Sequence, residues 1–166
     1  MKQLHMFYLG GNAGRSNIEV HDIQFAVCSD YREAVPELKA AWFGDADKIH
    51  IDGWRVVDWA DGYDVKLLDR PSESPLRLYF VNVGGYVAGR LAEAHAFDLF
   101  VAENAGEAKQ KALQKLLPDY LHQHKDNLKD VDNLLELNEI GGFYIRLESN
   151  PDGKAAEIGF QGYLPI

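Results

Sequence analysis

One cysteine, Cys28, in 166 residues leaves no means of forming an intrachain disulfide or a zinc site built from several thiolates. It sits in the apolar run FAVC, where a buried, inert thiol is expected rather than a nucleophile in a cationic, partly exposed setting. The chain has no apolar stretch near the roughly 20 residues that a membrane-spanning helix requires. Its opening, MKQLHMFYLGG, has neither the apolar centre nor the small-residue cleavage site of a secretory leader. These features predict a cytoplasmic protein. Basic clusters are missing as well. The formal net charge is −9, with 13 acids and 8 bases in residues 1–74 and 13 and 9 in residues 75–166. Nucleic acids and anionic membranes are bound through clustered Lys and Arg, so neither is expected as a partner.

What the sequence does have is an internal repeat. Shifting the chain by 74 residues without a gap superposes Gly10-Gly11 on Gly84-Gly85 and Glu19-Val20-His21 on Glu93-Ala94-His95. It also superposes His50-Ile51-Asp52 on His124-Lys125-Asp126, and Val57-Asp58 on Val131-Asp132. From Gly10 to Asp58, 12 of 49 positions are identical, well above the about one in seventeen expected by chance.

Each copy reads as strand, Gly-Gly, strand, helix, polar loop and hairpin. Alternating apolar residues mark the strands. Asp30 with Glu33, and Asn104 with Glu107, have the spacing of a helix N-cap and its third-residue acid. The helices are expected to run to about Phe43 and Leu117, with Pro36 forcing a kink or a late start in the first. Asp61-Gly62 and Gly141-Gly142 are expected hairpin turns, with strands at 55–59 and 63–67, and at 134–137 and 143–147. The expected fold is therefore α+β: a tandem pseudo-two-fold repeat of a ββαββ unit, with one antiparallel sheet and one helix per unit. Residues 1–69 form the first unit, 70–77 a Pro-bounded linker, 78–149 the second unit, and 150–166 a turn and an edge strand. A unit of this size is marginal alone, so the two are expected to pack as a dimer fused into one chain, with further homo-oligomerisation left open.

Glu19 and His21 lie two apart on a strand, so they share a face; Glu93 and His95 do the same. His50 with Asp52, and His124 with Asp126, repeat that spacing. Imidazoles and carboxylates together suit a divalent metal such as Zn²⁺, Mn²⁺ or Fe²⁺, or a general acid–base pair. The same groups also serve as structural hydrogen-bond partners. Gly10, Gly11 and Arg15, with Gly84, Gly85 and Arg90, form a candidate anion loop, but the loop leads into a strand rather than a helix N-terminus. Glycines required at a positive-φ turn account for the same pattern.

The runs FYLGG, NIEVHDIQFAV, HIDGW and DGYDV, then FVNVGG, AEAHAFDLFVA and GGFYI, resemble the bacterial family catalogued as domain of unknown function 1543, in a two-copy form. The resemblance implies the duplication and carries over no activity and no catalytic residue. Function is therefore read from the residues: a binding or interaction module for a small ligand or protein, or else a metal-assisted or acid–base enzyme built on the Glu-x-His and His-x-Asp pairs.

Overall fold

The computed structural model describes residues 1–116 and 129–166, with side chains in the second stretch described from 133 onwards. The chain folds as β1 (Gln3–Gly11), β2 (Val20–Cys28), α1 (Tyr31–Ala41), β3 (His50–Val56), β4 (Trp59–Ala60) and β5 (Tyr63–Leu68). The order then recurs as β6 (Arg77–Gly85), β7 (Ala94–Ala102), α2 (Ala105–Lys115), β8 (Lys129–Leu137), β9 (Glu139–Ile140) and β10 (Phe143–Ser149). A last strand, β11 (Ile158–Pro165), ends the chain. Two helices with several antiparallel sheets make this an α+β protein.

The helices begin where their capping chemistry places them. The Asp30 carboxylate accepts from the Arg32 N–H, and the Asn104 side-chain oxygen accepts from the Glu107 N–H. Glu33 and Glu107 reach back to accept from the N–H groups of Ser29 and Glu103. Both helices stop two residues earlier than residues 43 and 117, with Trp42 and Leu116 as C-caps. Pro36 lies inside α1, and the helix still starts at Tyr31.

The sheets are ordered β11-β3-β1-β2, β7-β6-β8 and β4-β5-β10-β9. This differs from one four-stranded sheet per unit. Each unit contributes three strands to its own sheet, and the chain leaves the first at Val57, whose N–H donates to the Leu4 carbonyl. The two hairpins then pair with each other through β5 and β10, which removes two exposed sheet edges. The Asp61-Gly62 and Gly141-Gly142 turns both hold the positive φ angles of a tight hairpin, 48° and 90°, and 58° and 79°.

Side-chain alternation divides the core into layers. Phe7 and Leu9 of β1 join Ala26 and Cys28 against Ala34 and Leu38 of α1. Leu4 and Met6 point the other way and meet Leu78, Phe80, Leu99 and Val101 of the second sheet, with Val65, Ile145 and Leu147 from the hairpins. Tyr79, Val81 and Val83 form the outer layer with Ala108 and Ala112 of α2. One central core is thus shared by both repeats, with a helix outside each sheet.

Because Leu78 is fully buried in that shared core, Leu78→Ala should cost about 2–5 kcal/mol. All three tryptophans lie in the first repeat. Their fluorescence should nevertheless report the lowered denaturation midpoint, coincident with far-UV circular dichroism; an unshifted tryptophan transition would mean that the repeats unfold separately. Cys28 is buried, and burial together with Glu33, Asp30 and Glu37 pushes its thiol up to about 11. At pH 8 the thiol should therefore react with a disulfide reagent about 100-fold more slowly in native than in unfolded protein. Equal rates would contradict the buried placement.

Candidate functional site

The pleat that places Leu4 and Met6 in the shared core also places Tyr8 and Gly10 on that inner face. Gly10 pairs with His21 of β2 on one side and with His50 of β3 on the other. Glu19 precedes His21 by two residues and Asp52 follows His50 by two, so all four side chains rise from the same face. A bulge between Tyr8 and Leu9 leaves Asp52 outside the regular pairing. Gly10 is where close approach requires glycine. A Cβ there would lie 2.5 Å from His50 Nε2, 2.6 Å from Asp52 Oδ2 and 3.0 Å from Glu19 Oε1.

The four groups are in mutual contact. His50 Nε2 lies 2.6 Å from Glu19 Oε1 and 3.2 Å from Asp52 Oδ1. His21 Nε2 lies 3.3 Å from Asp52 Oδ2 and 3.9 Å from Glu19 Oε2. One ligand atom each from Glu19, His50 and Asp52 falls within 4.8 Å of the others, close enough to hold one ion. His50 is only 4% exposed, and its Nδ1 faces the Lys48 carbonyl at 3.3 Å. That carbonyl can only accept, so Nδ1 carries a proton and Nε2 is left to face two carboxylates.

Two aromatic rings flank the cluster. Tyr8 stacks parallel on His21 at 5.0 Å, and Tyr163 of β11 tilts over His50 at 4.5 Å. Burial raises the Tyr8 hydroxyl above the ordinary phenol range, with Asp52 and Glu19 adding to the rise. Three clefts open on the cluster. One of about 470 Å³ has Asp52 on its wall, one of about 420 Å³ holds both His21 and His95, and one of about 430 Å³ holds Glu19 and His50.

The second repeat carries a different set. Its β6–β7 pairing repeats that of β1–β2 at the 74-residue offset, and Gly84 faces His95. Glu93 Oε2 lies 3.6 Å from His95 Nε2. Across β6, however, Gly84 pairs with Asp130, and Asp132 takes the bulge position of Asp52, an offset of 80. The superposition of His50 and Asp52 on His124 and Asp126 is therefore corrected. Six additional residues precede β8, and the ladder positions belong to Asp130 and Asp132. His124 and Asp126 lie outside the described residues.

The anion-loop residues are not gathered into one nest. Gly10 and Gly11 lie inside β1, and Gly84 and Gly85 inside β6, none with positive φ. The turn glycines are Gly14 and Gly89, and the Gly14 N–H donates to the Asp45 carboxylate. Arg15 and Arg90 are exposed. Sequence reasoning missed Tyr8 and Tyr163; the parity of Tyr8 with Gly10 was available as a signal, whereas Tyr163 depends on where β11 docks.

Fold and cluster together define a two-repeat α+β protein with a His–carboxylate group on the inner face of its first sheet. The chain belongs to the family described as Domain of Unknown Function (DUF1543), which matches residues 16–67 and 90–138. It is similar to the crystal structure of a protein Il1583 from Idiomarina loihiensis, with 27% identity and a TM-score of 0.76. That likeness covers 99% of this chain and 97% of the other. No curated protein matches it.

Gly10→Ala should force His50 and Asp52 apart and destabilise the protein by about 1–3 kcal/mol through overpacking. Denaturant midpoints and the ¹⁵N shifts of His50 would read this; an unchanged midpoint with unchanged His50 signals would contradict the geometry.

Proposed function

We propose that this chain binds one divalent cation at Glu19, His50 and Asp52, with His21 at the solvent side, and presents it to a small molecule at the repeat seam. The observation that carries this reading is the orientation of His50. Its Nδ1 is committed to a backbone carbonyl, and its Nε2 is aimed between two carboxylates that together balance a divalent charge. Imidazole with carboxylate suits Mn²⁺, Fe²⁺ or Zn²⁺. Such an ion polarises a bound oxygen or acidifies a bound water. His21, 36% exposed with its Nε2 3.3 Å from Asp52 Oδ2, would orient that carboxylate toward the ion.

A metal-free acid–base site is the second reading. It is favoured by the Tyr8–His21 stack and the 3.3 Å His21–Asp52 contact, which would orient His21 as a base without any ion. In either reading the chain works as a fused pair of repeats, units 1–69 and 78–149 joined by 70–77, with 150–166 adding β11. The matched ladders support that arrangement, as does the β5–β10 pairing, which is symmetric about Lys66 opposite Arg146.

Calorimetric titration with Mn²⁺ and Zn²⁺ separates the readings. The cation reading predicts one ion per chain, a melting temperature raised by the ion, and at least about 100-fold weaker binding in His50→Ala or Asp52→Asn. No uptake, with both variants merely less stable, would leave the cluster an ion-pair network and overturn the proposal.

A further inference from the structure

Asp52 stands between the cluster on one side and a cleft at the seam of the repeats on the other. That cleft, about 470 Å³, falls in the size range of small-molecule sites. Its floor and sides come from both repeats: Met6, Tyr8 and Ile23 from the first sheet, Phe97 from β7, and Ile158 from β11. At the end away from the cluster stand Arg55 and Asp98.

The charges restrict what can enter. Among the described lining residues Arg55 is the only cation, and it is committed to Asp98 at 3.4 Å. Asp98 is further held by Lys115 and by the Leu99 N–H. An incoming carboxylate or phosphate would therefore have to compete with Asp98 for the Arg55 guanidinium. At the other end, Glu19 and Asp52 present two carboxylates, and Asp22 lines the adjoining cleft. The whole chain carries −9. An incoming anion would meet apolar walls and an acidic surround, both of which oppose it.

We infer that this cleft binds an uncharged, apolar small molecule, which places a carbonyl or hydroxyl oxygen at the Glu19–His50–Asp52 cluster. The placement of that oxygen rests on the cation reading above; the apolar, uncharged class rests on the cleft itself. The body of the molecule lies against Met6, Ile23, Phe97 and Ile158, and its oxygen passes Asp52 to reach the ion.

Proton NMR on the full chain tests this with acetone, acetophenone and benzoate as probes. Saturation transfer, which needs no metal, should show acetophenone binding about 100-fold more tightly than acetone, from burial of the phenyl ring. Benzoate should bind at least about 10-fold more weakly than acetophenone. Ile158 is 63% exposed on an edge strand, so Ile158→Glu should fold normally and abolish acetophenone binding. With Mn²⁺ bound, the acetophenone methyl signal should broaden more than the para ring proton. Benzoate binding as tightly as acetophenone, acetone matching acetophenone, or no effect of Ile158→Glu would overturn the ligand class. Mn²⁺ retained by electron paramagnetic resonance without saturation transfer would overturn the cleft proposal alone. Failure to retain Mn²⁺ would instead fell the cation reading, and with it the placement of the oxygen.

Discussion

The His–carboxylate cluster exists because Gly10 has no side chain. It occupies the middle of three adjacent strands, where any Cβ would collide with His50, Asp52 and Glu19 together. Emptying that one position lets imidazoles from the strands on either side lean inward until they contact the same carboxylates. The remaining features follow from this. The bulge beside Leu9 brings Asp52 over the gap, the Lys48 carbonyl fixes one nitrogen of His50, and Tyr8, two residues before Gly10, roofs His21.

The repeats share a framework but not a chemistry. The offset of 74 residues holds through β1 and β2, and the hairpin turns keep their positive φ angles at an offset of 80. At the ladder position of His50, the second repeat has Asp130. β11 likewise adds to β3, bringing Tyr163 over His50. Duplication supplied a stable sheet-on-sheet body with a common core, and substitution at a few inner-face positions distinguishes its two ends.

Much of the fold was legible because local rules determine it. Asp30 and Asn104 cap helices through their own side chains, and Asp61-Gly62 and Gly141-Gly142 close hairpins. What was not legible depends on distant partners. A hairpin alternates in the same way whichever sheet receives it, so the pairing of β5 with β10 leaves no local mark. The ungapped offset failed for a related reason. The triplets at His50 and His124 look alike, yet strand register is set by the apolar ladder, which places Val131 opposite Val83 as Ile51 stands opposite Leu9. The Glu19-His21 and His50-Asp52 pairs were legible by parity. That they meet was not, because β1 separates them and only tertiary register puts Gly10 between.

In the proposed cation site, His50 Nε2 faces an ion held by Glu19 and Asp52. Crystals grown with Mn²⁺ and measured for anomalous scattering test it most directly. One peak is expected about 2.0–2.3 Å from His50 Nε2, with carboxylate oxygens of Glu19 and Asp52 at similar distances. An absent peak, with Glu19 and His50 still in direct contact, would contradict it.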